Sequence, residues 1–341
     1  MDLELSDEQK WLGESVETLL AREAEPERLW ERLVDFGALA VGGDDGLGAV
    51  ELCIIARALG AHLAPVPYLG SAAVRFAAEP LAAEIAHDSV ALALLEPGAS
   101  WAAAAAPTAV ARGHVVSGRK TAVEHAGSVE RLALVAAAPH GPVLGIVDPA
   151  APEVALVAQP AFDPTAPMYA VDLVDAPLLA EPLGGEAIRR MATIGMLLAA
   201  AEAVGAAGRM LDDACRYAAE RRQFGRPIAG FQALRHLLAD MYVRQASSWS
   251  SVLYAAAALH EDAEEAPRTV AIAKAYVSRA AREVAHGAIQ VFGGIAMTAE
   301  HPAHRFLRRI VVRERQFGDA AHHERELGRA LASAAVPEPV G

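Results

Sequence analysis

The first block of the chain shows apolar positions at the spacing of an α-helix. Leu12, Val16, Leu19 and Leu20 recur at three and four residues behind the polar stretch Ser6–Gln9, which has the composition of a helix start. Further helices are predicted around Trp30–Phe36 and over Ala49–Leu63, with Gly42–Gly48 as a turn between them and Pro65 and Pro67 as the stop. The block over residues 1–87 is therefore predicted to be an all-helical N-terminal domain.

From about Asp88 to Leu183 the pattern changes to short apolar runs cut by Gly, Pro and Asp, which is typical of β-strands. The clearest runs are Val90–Leu95, His114–Ser117, Leu132–Val135 and Val143–Val147. No long helical period separates them, so crossover helices are not predicted and an antiparallel sheet or small barrel is expected. This middle β domain is predicted over residues 88–184.

Beyond Gly185 the chain returns to long helical patterns. They cover Ile188–Arg222, Gln232–Leu259, Arg268–Phe292 and a shorter pair from His301 onward. Prolines fall at the breaks between them, where a missing backbone amide costs least. Long helices joined by short loops predict a four-helix bundle over residues 185–341, and the whole chain is predicted to be an α+β protein in the order helices, sheet, bundle.

Composition predicts a large buried core and a reducing compartment. Of the 341 residues, 53% are hydrophobic and 21% charged, which excludes disordered and fibrous classes. Two cysteines, Cys53 and Cys215, cannot form a disulfide framework. The net charge of -13 disfavours nucleic acid and anionic membranes as partners. The acidic start Met1–Ala21 and the shortness of the most apolar stretch, Met196–Ala207, lead us to expect a cytoplasmic protein.

Searches for common catalytic motifs exclude several classes of site. The sequence has no Gly-x-Ser-x-Gly elbow of a serine hydrolase, and Gly42–Gly48 lacks the Lys-Ser/Thr of a phosphate-binding loop. The densest histidine cluster comprises His301, His304, His322 and His323. It lacks the His-Glu-x-x-His spacing and the carboxylates of a metal site, so surface or interface histidines are predicted and no metal is expected.

A basic stripe runs along one predicted helix near the end of the chain. It comprises Arg305, Arg308, Arg309 and Arg313, while Phe306, Leu307, Ile310 and Val311 lie on another face. A solvated surface is the first interpretation. In an acidic chain the stripe could instead face acidic groups of a neighbouring subunit or an anionic ligand, and both interpretations stay open.

Two segments combine glycine, an aromatic ring, arginine and glutamine beyond what helix packing requires. The first runs Arg221-Arg222-Gln223-Phe224-Gly225-Arg226-Pro227-Ile228, and the second runs Gln290-Val291-Phe292-Gly293-Gly294. Weaker marks are Leu5–Gln9, Glu96-Pro97-Gly98 and Ser117-Gly118-Arg119-Lys120. Together with the order of helices, sheet and bundle, these segments closely resemble the acyl-CoA dehydrogenase superfamily over essentially the whole chain.

The resemblance implies an FAD-dependent oxidoreductase that removes hydrogen from the α and β carbons of an acyl-CoA substrate to give a 2-enoyl thioester. A carboxylate takes the α proton and the flavin accepts a hydride from the β carbon. In this family one subunit's sheet and base surround the isoalloxazine ring, and the partner's bundle holds the adenosine diphosphate end. The family also implies electron-transfer flavoprotein as the electron acceptor and assembly as a dimer of dimers.

Residues matching the partner-side half of such an FAD site are present. By this resemblance Arg221 pairs with the pyrophosphate, Phe224 packs against the cofactor and Gln232 hydrogen-bonds across the interface. The remaining matches are Gln223, Gln290, Gly293 and Gly294, the two glycines letting phosphate or ribose approach the backbone closely. Each residue also has a plain structural interpretation, as core ring, surface charge or helix terminator.

The other half of the site departs from the family pattern. The usual catalytic glutamate corresponds to Phe317, and a minority position on the first bundle helix corresponds to Gly195. The Trp-Ile-Thr stretch that lies against the flavin ring corresponds to Ala122, Val123 and Glu124, and the hydroxyl residue before Glu-Pro corresponds to Leu95. Base, stacking ring and hydroxyl are therefore all absent, and no catalytic residue is predicted in this chain.

The simplest hypothesis is a non-catalytic subunit of a heteromeric acyl-CoA dehydrogenase, which completes the FAD site of a longer, glutamate-bearing subunit. Short companion chains of this kind resemble those in actinobacterial enzymes that oxidise steroid side-chain CoA thioesters, and the Ala-rich, Arg-over-Lys composition fits such a source. Two alternatives stay open. One is a self-sufficient dehydrogenase with Asp319 or Glu202 as a substitute base, and the other is a flavin-free scaffold of the same fold.

Overall fold

The N-terminal helices begin where the sequence predicts. A computed structural model describes residues 3–23, 25–41, 46–78, 85, 88–101, 106–261 and 263–334. Its first helices are α1 (Asp7–Arg22), α2 (Pro26–Asp35), α3 (Ala49–His62) and α4 (Tyr68–Ala77). The Ser6 hydroxyl accepts a hydrogen bond from the Gln9 amide at 3.2 Å, and the Gln9 side chain accepts one from the Ser6 amide at 3.0 Å. This reciprocal cap confirms the predicted helix start.

Helix α4 was not predicted, because Pro67 was interpreted only as a stop. The structure places Pro67 at the N-cap of α4, where a residue without a backbone N–H breaks no helical hydrogen bond. Two predicted features lie wholly or partly outside the described residues: the first half of the Gly42–Gly48 turn and the domain boundary at His87.

The middle of the chain forms one seven-stranded sheet. Its strands are β1 (Val90–Ala93), β2 (Val110–Arg112), β3 (Val115–Glu124), β4 (Arg131–Ala138), β5 (Gly141–Val147), β6 (Val154–Gln159) and β7 (Met168–Pro177). They are ordered β1-β4-β2-β3-β7-β6, with β5 also paired to β4. The prediction of an antiparallel sheet is wrong for two pairings, since β1 and β2 run parallel to β4. In the described residues the connection from β1 to β4 runs through β2, β3 and a single 3-10 turn at Ala126–Ser128, without an α-helix.

Burial explains which strands the sequence revealed. Along β1 and β4, alternate residues enter two different hydrophobic clusters, as Ala133 faces the helices and Leu132 and Leu134 face the other side. Strands covered on both faces read as continuous apolar runs, and these were predicted. Strands β6 and β7 are partly exposed, as Val157 and Val174 show with 49% and 69% of their surface accessible, and neither they nor the three-residue β2 are among the predicted runs.

The C-terminal part is the predicted helical bundle. It contains α5 (Gly185–Glu220), α6 (Gln232–His260), α7 (Ala266–Phe292), α8 (Ala303–Arg315) and α9 (Ala320–Ala334). The short strands β8 (Arg222–Gln223) and β9 (Arg226–Pro227) form a hairpin between α5 and α6. Among the described helices, α5 is long and apolar enough to cross a membrane, yet 83% of its most apolar window is buried inside the protein.

Helix α5 lies against the N-terminal helices at van der Waals contact of the two backbones. A Cβ atom on Gly205 would lie 1.8 Å from the Arg57 carbonyl oxygen, and one on Gly60 would lie 2.0 Å from the Glu202 carbonyl oxygen. Only glycine permits this approach. The crossing fixes Glu202 of α5 next to the sheet and α8, where it takes part in the site described below.

A buried ion pair connects the segment Glu96-Pro97-Gly98 to the segment Ser117-Gly118-Arg119-Lys120. Lys120 Nζ, fully buried, donates to Glu96 Oε1 at 2.7 Å and to the Val135 carbonyl at 2.5 Å. Burial alone would raise the pKa of Glu96, but hydrogen bonds from Lys120 and Thr108 outweigh it and lower that pKa to about 2. The charged pair therefore ties the segment after β1 to β3 and β4.

We expect Lys120→Met to lower the free energy of unfolding by about 3–5 kcal/mol, because it leaves the Glu96 carboxylate buried without its cation. Adding Glu96→Gln should recover part of that loss. Arg279→Met, which breaks a half-exposed pair with Glu324, serves as the control and should cost less than about 1 kcal/mol. Urea unfolding of the four proteins measures these differences, and an equal loss in both single variants contradicts a structural role for the buried pair.

Candidate functional site

A mostly apolar cavity of about 320 Å³ lies where the start of α4, the sheet and the end of α8 meet. Its apolar lining includes Leu69, Leu92, Leu95, Trp101 and Phe317, and its polar lining comprises Glu124, His125, Arg315 and Gln316. Of the residues at the family's flavin-facing and base positions, Leu95, Ala122, Glu124 and Phe317 line this cavity, whereas Val123 and Gly195 do not.

Phe317 stands at the position that corresponds to the family's usual catalytic glutamate. Its ring is 5% exposed and stacks on Trp101 with ring centroids 4.9 Å apart. Its other side faces α5, since a Cβ atom on Gly195 would lie 2.4 Å from Phe317 Cζ. The two family positions for the base are therefore in contact with each other: one holds an aromatic ring, and the other is kept free of a side chain by that ring.

Two buried arginines from α8 bind carboxylates of three other segments. Arg309 Nε donates to Asp163 Oδ2 at 2.5 Å, and its Nη1 pairs with Glu202 Oε1. Arg313 donates to both oxygens of Glu124 at 2.7 Å and from Nε to Glu202 Oε2 at 2.7 Å. Arg309 and Arg313 are 1% and 3% exposed. We call Arg309, Arg313, Glu124, Glu202 and Asp163 the buried charge network.

The buried charge network decides between the two interpretations of the basic stripe. The solvated-face interpretation is wrong for Arg309 and Arg313, whose partners are acidic groups of the same chain rather than of a neighbour or a ligand. Arg305 is exposed and Arg308 is half-buried, so the stripe is divided between core and surface. Apart from Glu202, these acidic partners are far away in the sequence from any helical pattern, and no periodicity points to them.

The charges in the network are strongly coupled. Burial by itself would raise the pKa of Glu124, but the Arg313 guanidinium overrides burial and holds that pKa below its ordinary value. The pKa of Asp163 is likewise lowered by Arg309 against the effect of burial. The carboxylates stay ionised and are bound to guanidinium groups, so Glu124 at the cavity wall is not free to accept a substrate proton.

Neither substitute base is placed for proton abstraction. Both oxygens of Glu202 are bound to Arg309 and Arg313, and Glu202 does not line the cavity. Asp319 Oδ1 accepts the His322 backbone N–H at 2.8 Å, and this bond lowers the pKa of Asp319. Asp319 is therefore an N-terminal cap of α9 rather than a group facing the cavity.

Lys274 holds the turn that carries Phe317. Its buried ammonium on α7 donates to the Arg313 carbonyl at 2.7 Å and to the Glu314 carbonyl at 2.9 Å, the last carbonyls of α8. Phe317 follows with φ of 58°, in the left-handed region, and Gly318 with φ of 100°. A cation at a helix C-terminus is favourable, and here it fixes the backbone from which the Phe317 ring projects.

The residues predicted to hold FAD for a partner lie together at one end of the bundle. The ends of α5 and α7 meet there, since the Tyr217 and Phe292 ring centroids are 5.6 Å apart, and the His301 ring lies 4.5 Å from Phe292. All seven predicted cofactor residues are exposed, namely Arg221, Gln223, Phe224, Gln232, Gln290, Gly293 and Gly294. We call this surface the bundle end.

Phe224 stands at the tip of the β8–β9 hairpin with 91% of its surface exposed. Phe224 and Gly225 both have positive φ, 52° and 80°, as a two-residue hairpin turn requires. Behind them the Phe231 ring is packed edge-on to Phe224 and is covered by the Arg226 guanidinium, 4.2 Å from its centroid. The Phe224 ring is therefore open to contact by another molecule.

The second segment contributes open backbone to the bundle end. Gly293 ends α7 with φ of 66°, and a Cβ atom at Gly293 or Gly294 would meet nothing within 4 Å. The glycine pair is therefore not required by close packing within the described chain. It leaves exposed peptide groups beside the Gln290 amide, a surface that a ligand or a partner chain can approach closely.

Sequence reasoning missed the residues that complete the cavity and the network. Asp163 and Thr165 bind Arg309, yet they lie in a Pro-rich loop with no pattern of their own. Trp101 lies in an Ala-rich stretch that carries no motif. For the histidines, the part of the chain that the structure describes contains no cluster of three or more His, Cys, Asp or Glu placed to hold a metal.

Comparison with known proteins gives consistent matches. The family model "Acyl-CoA dehydrogenase, C-terminal domain" matches residues 184–332. Acyl-CoA dehydrogenase IpdE2 of Mycobacterium tuberculosis is 31% identical over 327 residues, covering 89% of this chain and 91% of that protein. The match with IpdE2 of Mycolicibacterium smegmatis is more local, at 42% identity over 120 residues, or 35% of this chain and 36% of that protein.

Solved structures match over nearly the full length. A chain of the ChsE4-ChsE5 complex from Mycobacterium tuberculosis aligns with TM-score 0.86 and 27% identity, covering 99% of this chain and 100% of that one. A chain of the Tcur3481-Tcur3483 steroid ACAD aligns with TM-score 0.86 and 26% identity, covering 96% of this chain and 99% of that one. The fold of these chains is thus the fold of the present protein.

The contact between Phe317 and Gly195 can be tested by a double-mutant cycle. We expect the free energy of unfolding of Gly195→Ala to be about 1–3 kcal/mol lower than that of Gly328→Ala. The reason is that the new methyl group at position 195 overlaps the Phe317 ring. Gly328, an exposed position on α9 with nothing within 4 Å of a Cβ atom, is the matched helix control. In a Phe317→Leu background the difference between the two alanine variants should shrink. An unchanged difference contradicts the packing.

Lys274 gives a pH dependence of stability with a defined sign. Burial lowers the pKa of Lys274 from 10.5 to about 7, so the unfolded chain binds more protons than the folded chain above that pH. The free energy of unfolding should therefore rise from pH 7 to 9. The window ends at 9 because burial raises the pKa of the Cys53 thiol above its ordinary value of 9.0 in the folded chain, so above pH 9 the thiol ionises only in the unfolded chain and lowers stability. Urea unfolding across this window should show the rise in wild type and in Lys10→Met, an exposed control, and a flatter profile in Lys274→Met.

Proposed function

Because the chain belongs to the acyl-CoA dehydrogenase superfamily, we propose that it is the non-catalytic subunit of a heteromeric FAD-dependent acyl-CoA dehydrogenase. In this proposal a longer subunit supplies the base and the flavin-facing sheet, and the present chain supplies the bundle end. The observation that carries it is a contrast within one chain. The bundle end is exposed, whereas the two family positions for the base hold the Phe317 ring and Gly195, which are in contact with each other.

The bundle end fits the nucleotide half of FAD. Arg221 offers an exposed guanidinium to the pyrophosphate, Phe224 offers an apolar face, and Gln232 and Gln290 offer amides at the edge of the same surface. The open backbone at Gly293 allows close approach of a ribose or phosphate. When bound, FAD supplies the acceptor for the hydride that leaves the β carbon of an acyl-CoA.

The chain's own sheet does not fit the flavin ring. Ala122 offers a methyl group where stacking needs an aromatic face, and Leu95 and Glu124 offer no hydroxyl to the ring edge. The Glu124 carboxylate is instead held by both Nη atoms of Arg313, so a neutral hydrogen-bonding group is replaced by a fixed ion pair. No catalytic step is therefore assigned to this cavity.

The solved relatives support a heteromer and a bulky substrate. The ChsE4-ChsE5 structure is of a complex, and Tcur3481-Tcur3483 is named as a steroid acyl-CoA dehydrogenase. By analogy the present chain pairs with a glutamate-bearing subunit in a dimer of dimers that acts on steroid side-chain or similarly bulky acyl-CoA. Electron-transfer flavoprotein is the proposed electron acceptor of the complex.

The self-sufficient enzyme and the flavin-free scaffold each require different roles for the residues of this chain. A self-sufficient enzyme needs Asp319 or Glu202 as its base, but these carboxylates are used as a helix cap and as the centre of the buried charge network. A flavin-free scaffold explains Gly293 as the terminator of α7, but it gives no role to the Phe224 ring, which is 91% exposed at the hairpin tip. Both alternatives are therefore less well supported than the subunit role.

The proposal predicts that Arg221→Ala lowers the FAD content of the complex. The chain should be co-expressed with a glutamate-bearing acyl-CoA dehydrogenase subunit of the same organism, and FAD per complex should be measured by absorbance after denaturation. Loss of a charge-assisted contact of about 1.5–3 kcal/mol predicts roughly 10-fold or greater weakening of FAD binding. Arg28→Ala, an exposed arginine on α2, is the matched control and should leave the FAD content unchanged.

Three further outcomes separate the alternatives. Unchanged FAD content in the Arg221→Ala complex favours the scaffold. A purified chain that binds FAD and oxidises acyl-CoA alone contradicts the subunit role. Asp319→Asn in the complex should leave the rate of acyl-CoA oxidation unchanged, and a loss of rate with intact FAD content would support a substitute base instead.

A further inference from the structure

The hairpin that carries Phe224 is held at its root and at its tip by different contacts. At the root, the Ile228 N–H donates to the Arg221 carbonyl at 2.8 Å, and the Ile228 side chain packs against the main hydrophobic core. At the tip, Phe224 and Gly225 have φ of 52° and 80°, and the Phe224 side chain is 91% exposed. A bulky residue is therefore held in a sparsely populated backbone conformation although its ring has no place in the core.

One guanidinium lies across the back of this tip. Arg226 Cζ is 4.2 Å from the centroid of the Phe231 ring, and the Arg226 side chain passes over Gly230, where a Cβ atom would lie 3.5 Å from Arg226 Cδ. The Phe231 ring in turn contacts the Phe224 ring, with centroids 6.0 Å apart and an interplanar angle of 83°. These are the geometries of a cation–π contact and of an edge-to-face ring pair. We call Arg226, Phe231 and Phe224 the hairpin brace.

The two arginines beside the tip stabilise different parts of it. Arg222 Nη2 donates to the Gly225 carbonyl at 3.2 Å, so Arg222 holds the backbone of the turn. Within the described chain the Arg226 guanidinium lies on the Phe231 ring and forms no ion pair with a carboxylate. Arg226 therefore acts on the rings, and through Phe231 it acts on the orientation of Phe224.

The hairpin brace fixes the Phe224 ring without covering it. The ring keeps 91% of its surface accessible while it contacts Phe231, so nearly all of that surface remains open to another molecule. A side chain that is already ordered loses less conformational entropy on binding than a mobile one. The brace joins residues that are close in the sequence and exposed or half-buried, so we expect it to affect binding more than the stability of the fold.

We propose that Arg226 is a positioning residue for FAD, which holds Phe224, through the Phe231 ring, in the orientation that contacts the cofactor. This inference rests on the proposed function and deepens it. It divides the bundle end into residues that touch FAD and a residue that acts through a neighbour. Arg226 does not contact the pyrophosphate, whose charge is left to Arg221.

The first test measures the FAD affinity of the complex with the glutamate-bearing subunit, by titrating FAD into the apo-complex and following flavin fluorescence. Arg226→Gln should weaken FAD binding about twofold to fivefold, the effect of one exposed cation–π contact. Arg226→Lys, which keeps a cation over the ring, should restore most of the affinity. In a Phe231→Leu background, Arg226→Gln should have no further effect.

The matched control is Arg190→Gln. It removes an exposed guanidinium that lies 5.9 Å from the Phe76 ring, near the start of α5 and at the other end of that helix from the hairpin. This variant should leave the FAD affinity of the complex unchanged.

The second test uses the chain alone, without FAD or the partner. Hydrogen–deuterium exchange of the hairpin amides should be faster in Arg226→Gln than in wild type and in Arg190→Gln, while exchange within α6 stays the same. Equal exchange in all three proteins shows that Arg226 does not order the hairpin and overturns the proposal.

The FAD titrations separate the failure of this inference from the failure of the proposed function. If Arg226→Gln weakens binding equally in the Phe231→Leu background, Arg226 contacts FAD directly and the positioning role is wrong. If Arg221→Ala weakens binding and Arg226→Gln does not, the positioning role is wrong and the subunit role stands. If neither variant changes the affinity, both are wrong.

Discussion

The contact of two buried guanidinium groups with three carboxylates is the interaction on which the rest of this structure depends. Arg309 and Arg313 of α8 bind Glu202 of α5, Glu124 of β3 and Asp163 of the loop between β6 and β7. Helix, sheet and loop are thereby held in one arrangement. Removing one partner of such a buried pair typically costs about 3–5 kcal/mol, because the remaining charge has no solvent.

The same contacts decide what the cavity can do. Glu124 stands at the cavity wall but is bound to Arg313, and α8 leads directly into the turn that directs Phe317 onto Trp101. The wall therefore lacks a free carboxylate, and the ring occupies the space beside Gly195. Arg313 and Phe317 are connected physically, since α8 carries Arg313 and ends two residues before the Phe317 ring.

The sequence could predict the parts of this molecule that repeat a local pattern. Helix starts such as Ser6–Gln9, the long bundle helices and the doubly covered strands β1, β4 and β5 follow from periodicity and composition. The residues of the bundle end were selected by the family resemblance, because all of them except Gln232 fall in two short segments, and their role toward FAD stays a prediction. Helix α4 was missed because a proline can open a helix as well as end one, and β6 and β7 because one face of each is exposed.

The buried charge network could not be predicted, because its partners come from distant segments and each looks like an ordinary surface residue. Arg309 binds Asp163 and Glu202, which are 146 and 107 positions away in the sequence. The helical spacing predicts that the arginines share one face of α8, but it does not show that carboxylates from other segments cover Arg309 and Arg313. Likewise, the absence of a base at Phe317 was visible in the sequence, whereas the contact of that ring with Gly195 required the fold.

The proposed function requires that this chain supplies residues to the FAD site of its partner and binds no FAD by itself. The most direct measurement is the ratio of FAD to polypeptide in the purified complex with its glutamate-bearing partner, with each chain quantified separately. The account predicts one FAD for every two chains, and none on the present chain purified alone. One FAD for every chain, or a yellow homomer of this chain that acyl-CoA bleaches, would contradict it.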